Sequence, residues 1–252
     1  MEIARRTNIG LVRDLNEDST GLLQAKCGKI IAVLADGMGG HQAGDVASQK
    51  AVEEVLNYLG NVQLDIGTEE KKDQLLLAVG TANDVVYKLA NQNTQYKGMG
   101  TTVLAAIFDI DEVVFAHVGD SRAYILHKDK LIQLTVDHTY VNILKEHGQI
   151  TEEEARTHPQ RNMLVRAVGT NKVVEVDLID IPWSKNDIIL LCSDGLTSMV
   201  SERDIGETLS DTMMTLDEKA DKLIQLALDA GGKDNISLFL IRHTGNETIQ
   251  MA

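Results

Sequence analysis

Two prolines, two cysteines and one tryptophan are spread over 252 residues, and aromatic residues make up only 4% of the chain. Two cysteines cannot build the disulfide framework of a small secreted scaffold. Cys27 and Cys192 both fall in apolar stretches that read as strands. Pro159 and Pro182 mark no Pro-rich linker, and no Gly/Ser-rich tract or repeat of solenoid period divides the chain. No apolar run approaches the roughly 20 residues that a membrane-spanning helix needs. The N-terminal MEIARRTNIG has no apolar signal-peptide core. The expectation is therefore a cytoplasmic protein without a membrane partner. Positive charge is also scarce: 24 Lys and Arg stand against 38 Asp and Glu, a formal net charge of −14. That balance speaks against a nucleic acid partner, because like charges repel before contact forms.

What the chain has is ample core material, 43% apolar by residue count, enough for one large domain. Six apolar runs read as buried strands: 29–35, 102–108, 113–118, 123–127, 187–192 and 236–241. Three segments carry apolar residues at helical spacing. In 43–59 they are Ala47, Ala51, Val55 and Leu59; in 71–90, Leu75, Val79, Ala82 and Val86; in 216–229, Leu216, Ala220, Leu223 and Ala227. Thr215 with Glu218, and Thr151 with Glu154, have the spacing of capping boxes. Strands joined by short turns, with helices before and after them, predict an α+β fold built on antiparallel sheets. The polar stretch 137–166, which holds three of the seven histidines, reads as an insertion.

The aspartates fall at telling places. Asp36 follows IIAVLA, Asp194 follows IILLCS, Asp120 ends VVFAHVG, and Asp234 stands two residues before ISLFLI. Each alone is ordinary turn chemistry, since Asp-Gly is a common short connection between strands. Together, if the strand ends share one edge, they crowd negative charge and raise one another's pKa values. Hard divalent cations with oxygen ligands relieve that crowding. Two such ions about 3.5–4 Å apart can share a water and lower its pKa enough to yield hydroxide at neutral pH.

The segments Arg13-Asp14-Leu15-Asn16-Glu17-Asp18, Ala35-Asp36-Gly37-Met38-Gly39-Gly40-His41, Gly100-Thr101-Thr102, Val118-Gly119-Asp120-Ser121-Arg122, Ser193-Asp194-Gly195 and Asp234-Asn235 occur in that order. They resemble the ordered motifs of the metal-dependent protein phosphatases, the PPM family of the type 2C class, and the DGMGGH form is similar to bacterial members. The resemblance covers nearly the whole chain. It implies a central antiparallel β-sandwich flanked by pairs of helices, a four-layer αββα arrangement, as one domain over 1–245 with a flap at about 137–166 and a short tail at 246–252. It implies hydrolysis of phosphoserine and phosphothreonine by direct attack of a metal-bridging water or hydroxide. Two divalent cations, Mn²⁺ or Mg²⁺, are implied, with a third at a weaker site. By the same resemblance Asp36 bridges both metals and the Gly37 carbonyl joins one of them. Asp194 and Asp234 complete the other, Glu17 and Asp18 hold metal waters, and Asp120 belongs to the third site. Arg13 matches the family's phosphate-binding arginine, a role suited to a guanidinium fork. Phosphorylated proteins and a cognate serine/threonine kinase are the implied partners, and a monomer is expected.

Two positions depart from the pattern. Some eukaryotic members place a histidine directly after the Asp-Gly, where this chain has Met38; His41, three residues later, becomes a candidate general acid, alongside His138, His147 and His158 of the flap. Those members also carry an aspartate where this chain has Ser198, so the third site needs another completion. Competing readings are weaker. Asp109-Ile110-Asp111 mimics a haloacid-dehalogenase signature but runs straight into another strand. Gly119-Asp120-Ser121 resembles a serine-hydrolase elbow but lies between two strands, where an elbow needs a strand-to-helix turn. The cysteine-phosphatase spacing of Cys and Arg is absent, as are GKS/T and HExxH.

Overall fold

The structure is a computed structural model that describes residues 1–39 and 43–245, together with the backbone of 250–251. Along the chain come β1 (Glu2–Asn8), β2 (Asp18–Gln24), β3 (Ile30–Met38), α1 (Ala43–Asn61), α2 (Thr68–Gln92), β4 (Gly100–Thr101), β5 (Val103–Phe108) and β6 (Glu112–Val118). Then follow β7 (Arg122–His127), β8 (Lys130–Gln133), α3 (Tyr140–Glu146), α4 (Glu152–Thr157), β9 (Asp177–Pro182) and β10 (Ile188–Cys192). The last elements are α5 (Asp194–Thr197), α6 (Glu202–Ser210), α7 (Leu216–Asp229), β11 (Ile236–Arg242) and β12 (Gln250–Met251).

Two sheets form, one in the order β12-β1-β11-β10-β7-β8 and the other β2-β3-β5-β6-β9, with β4 on β3. Every pairing is antiparallel except β1 with β12. Side-chain alternation sorts the apolar residues into three layers. Ile30, Ala32, Leu104, Phe115, Ile189 and Phe239 fill the space between the sheets. Ile31, Val33, Ala105 and Ala116 point the other way, against Ala51, Val55, Val79 and Val86 of α1 and α2. On the far side Leu190, Leu238 and Leu240 meet Ile205 and Leu209 of α6 and Leu216, Ala220 and Leu223 of α7. The expected αββα layering is therefore present. Because both faces of each central strand are covered, these strands read as unbroken apolar runs.

The capping boxes form as the spacing predicts. Thr215 Oγ1 accepts from Glu218 N–H at 3.2 Å, and Thr215 N–H donates to Glu218 at 2.8 Å. At Thr151 and Glu154 the two bonds are 3.3 and 2.7 Å. Six strands escape the sequence reading, two of them, β4 and β12, only two residues long. Of these, β2, β8 and β9 are sheet edges, where polar residues are tolerated because one side needs no apolar cover. Strand β1 lies inside its sheet, but its Arg6 is held by Asp217 and Asp221 of α7 rather than by apolar contacts. Cys27 is a correction. It sits in the exposed turn between β2 and β3, where Gly28 N–H donates to Ala25 O at 2.8 Å and Gly28 takes φ +85°. An exposed turn leaves it no apolar partner.

Strand polarity brings the chemistry to one end of the sandwich. Asp18 opens β2 directly opposite Asp36 near the end of β3. Val103 at the start of β5 faces Val118 at the end of β6, two residues before Asp120. In the other sheet Cys192 closes β10 opposite Arg122 and Leu238, so Asp194 and Asp234 emerge on that same end.

Candidate metal centre

The strand ends converge. Asp36 lies in the field of Asp18, Asp194, Asp120 and Asp234. Burial, then the repulsion of Asp194 and Asp234, pushes Asp18 up to about 7, although the hydroxyls of Ser237 and Ser193 pull it down. Burial and Asp234 push Asp194 up to about 6. Burial followed by neighbouring carboxylates raises Asp36 and Asp120 well above the usual range.

The donor set fits hard cations. It is all oxygen, and two of its buried oxygens, Glu17 Oε1 and Asp18 Oδ1, have no hydrogen-bond partner among the described residues. A buried acceptor left unpaired is costly, and a cation removes that cost. The protons held by the cluster give a linked expectation. Because the folded-state pKa values are raised, the cluster stabilises the cation-free fold fully only below the unfolded carboxylate value. That contribution is lost as pH rises through about 6 for Asp194 and about 7 for Asp18. Filling the site must expel the protons. Calorimetric titration with Mn²⁺ near pH 6.5, in two buffers of different ionisation enthalpy, should show net proton release and an affinity that climbs with pH. A heat independent of the buffer would contradict this protonation.

The local scaffold is polar and tied down. Ser193 Oγ donates to Asp18 Oδ2 at 2.8 Å and accepts from Ser237 N–H at 2.9 Å. Asp36 N–H donates to Thr102 Oγ1 at 2.8 Å. Asn235 is a latch whose role is not legible from sequence alone: its Nδ2 donates to Ile9 O and Leu15 O, both at 2.9 Å, while Oδ1 accepts from Glu17 N–H at 2.8 Å. The loop carrying Arg13 and Glu17 is thereby fixed to the turn carrying Asp234. Gly37 N–H donates to Glu17 O at 3.0 Å. A Cβ at Gly37 would run into the Gly44 carbonyl of α1, so only glycine permits this approach.

Arg13 lies at the rim with its side chain 48% exposed, and its Nη2 donates to Asp234 Oδ2 at 2.7 Å. Among the described residues its Nε and Nη1 have no protein acceptor. Asp120 lines a groove of about 910 Å³ together with Asp194 and Asp234 and residues of α3 and α4. Ser198 also lines it. The further carboxylate felt by Asp120 is Asp137, itself held in the fork of Arg122 at 2.7–3.1 Å. His41 lies outside the described residues. His138 has both ring nitrogens within 3.0 Å of protein partners, so it has no nitrogen free to protonate a leaving group. The competing motifs fall elsewhere: Asp109 starts the β5–β6 hairpin and pairs with Lys71, and Gly119–Ser121 joins two strands.

Known proteins resemble this chain in sequence and in fold. A family model described as protein phosphatase 2C matches residues 12–229. The serine/threonine phosphatase stp of Listeria innocua is 42% identical over 236 residues, 94% of this chain and 93% of that one. The solved serine/threonine phosphatase of S. agalactiae superposes with a TM-score of 0.90 at 40% identity, covering 94% of this chain and 97% of its own. The catalytic domain of the phosphatase PstP, solved in complex with two manganese ions, gives a TM-score of 0.82 at 35% identity over 94% of this chain and 96% of that chain. This chain belongs to the protein phosphatase 2C family.

Proposed function

We propose that this chain is a divalent-cation-dependent protein serine/threonine phosphatase in which water attacks phosphorus directly. The observation that carries the reading is the convergence of Asp18, Asp36, Asp120, Asp194 and Asp234, with orphaned carboxylate oxygens among them, beside Arg13. In the proposed assignment Asp36 serves two cations, the Gly37 carbonyl joins one, and Asp194 and Asp234 join the other. Glu17 and Asp18 act through ordered waters, and Asp120 serves a third, weaker ion. When bound, such cations neutralise the crowded carboxylates, activate water and draw charge from the phosphoryl oxygens.

The chain's own residues do the rest. Arg13 presents Nε and Nη1, which have no acceptor among the described residues, to phosphate oxygens while Nη2 remains on Asp234. Two candidate nucleophiles among the described residues are engaged elsewhere. Ser193 Oγ is buried and bonded to Asp18. The Cys192 thiol is buried, pushed up to about 12 by that burial, and faces the Arg122 carbonyl. The proposed catalytic domain spans 1–245 with the flap at 137–166 as an insertion. The phosphatase would act as a monomer in the cytoplasm on phosphorylated proteins, opposing a serine/threonine kinase, with Mn²⁺ or Mg²⁺ as its ion.

Arg13→Ala tests the phosphate contact. Removing a charge-assisted pair made to the substrate's phosphate should raise KM by about tenfold or more while kcat changes less. Arg13→Lys should recover only part of this, because a lysine offers no fork. An unchanged KM with a lowered kcat would move Arg13 from substrate binding to the chemical step.

A further inference from the structure

Below the carboxylate cluster, at the base of the flap, His117, His138 and Asp177 bring potential ligand atoms within 4.8 Å of one another. A metal ion is a poor occupant for this trio. Arg166 Nη1 donates to Asp177 Oδ1 at 2.7 Å and stands 3.0 Å from His138 Nε2, so a guanidinium already occupies the cationic place. The hydrogen bonds point to another role.

The Gly119–Asp120 turn connects β6 to β7 and depends on His138 for both of its first backbone groups. His138 N–H donates to Gly119 O at 2.8 Å, and buried Gly119 N–H donates to His138 Nδ1 at 3.0 Å. An acceptor at Nδ1 leaves the ring proton on Nε2, from which it reaches Asp177 Oδ2 at 3.0 Å. The ring is thus fixed from both sides, and the His117 ring lies tilted against it with centroids 4.7 Å apart. From the opposite side the turn is wedged: Gly119 takes φ +112°, and a Cβ there would sit 2.5–2.6 Å from the Thr102 side chain. Ser121 Oγ and Thr102 Oγ1 are 2.8 Å apart, and the same Thr102 oxygen receives Asp36 N–H. The residue carried by this turn is Asp120. His138 also fastens the flap, because its carbonyl accepts from Val165 N–H at 2.9 Å.

We propose that His138 is a positioning residue: its Nδ1, by accepting the Gly119 amide, sets the Asp120 carboxylate for the weaker cation. This rests on the assignment of Asp120 to that cation. Without an acceptor at Nδ1 the Gly119 amide is buried and unpaired, and rotation at a glycine, the least restrained residue, relieves it. Asp120 would swing with the turn. The aspartate–histidine–amide chain works by holding geometry and takes no proton from the substrate.

Two substitutions separate the two ends of the ring. An asparagine side chain reaches about as far as Nδ1 and can accept from Gly119. A glutamine reaches towards Nε2 and can donate to Asp177 while leaving Gly119 unpaired. Calorimetric titration of the folded protein with Mn²⁺, without substrate, should resolve tight binding and a weaker event. We expect His138→Gln to weaken that event by about tenfold, the scale of an unpaired buried amide, with tight binding retained and kcat lowered more than KM is changed. His138→Asn should stay within about threefold of the parent protein. Equal losses in both variants, or no loss in either, overturn the positioning role. Asp120→Asn is the reference. If it leaves the weaker event intact, the ligand assignment fails; if it removes the event while His138→Gln keeps it, only the positioning role fails. The unsubstituted protein gives a check independent of folding in the variants: imidazole ¹⁵N shifts should report His138 with its proton on Nε2. A proton on Nδ1 overturns the inference.

Discussion

Asp36→Ala should reduce kcat/KM by at least ~10³-fold, with no recovery at saturating Mn²⁺. Asp36 is the residue on which the other four aspartates act: it feels Asp18, Asp194, Asp120 and Asp234. In the proposed assignment it is the ligand shared by both cations. The same change should not destabilise the cation-free fold. A carboxylate crowded by others and stripped of water opposes folding when ionised, so its removal is neutral or stabilising wherever the group would be ionised. Thermal unfolding with and without Mn²⁺ reads this directly. The parent protein should gain stability from Mn²⁺, and the variant should gain much less. Near-normal turnover in Asp36→Ala would remove the central assignment.

The second large effect is expected on stripping the cations. Chelation should abolish turnover, and either Mn²⁺ or Mg²⁺ should restore it. The site's oxygen donors include two buried atoms, Glu17 Oε1 and Asp18 Oδ1, with no protein partner among the described residues. The nearby hydroxyl and thiol, Ser193 and Cys192, are buried and engaged. Neither of these two groups is placed to act as nucleophile, and under the proposed direct attack by water no phosphoryl-enzyme should accumulate during turnover. Trapping a phospho-aspartate or phosphoserine form of the enzyme would contradict this.

The sequence made the buried frame legible because central strands covered on both faces are continuous apolar runs. The 216–229 helix, with its Thr215 cap, was readable to the residue. Edge strands were not, since Asp18–Gln24 and Lys130–Gln133 need only one covered side. Strand Glu2–Asn8 was hidden for another reason: its Arg6 is satisfied by aspartates on a helix more than 200 residues away. The aspartates were visible as strand-end residues, but their meeting depends on which ends of which strands align, and this is a property of topology. The role of Asn235 as a latch between the Arg13 loop and the Asp234 turn was beyond reach for the same reason. So was the pairing of Gly119 with His138, residues 19 positions apart whose contact exists only after β7 and β8 have turned the chain back. Cys27 was misread because apolar flanking residues do not reveal a turn made by Gly28.

One measurement bears most directly on the account. Phosphate release would be followed from matched phosphoserine, phosphothreonine and phosphotyrosine peptides, using protein freed of cations and then supplied with Mn²⁺. The account predicts no release without the ion, and with it rapid release from the phosphoserine and phosphothreonine peptides but little from phosphotyrosine. Release from the phosphoserine or phosphothreonine peptide by the cation-free protein would contradict it.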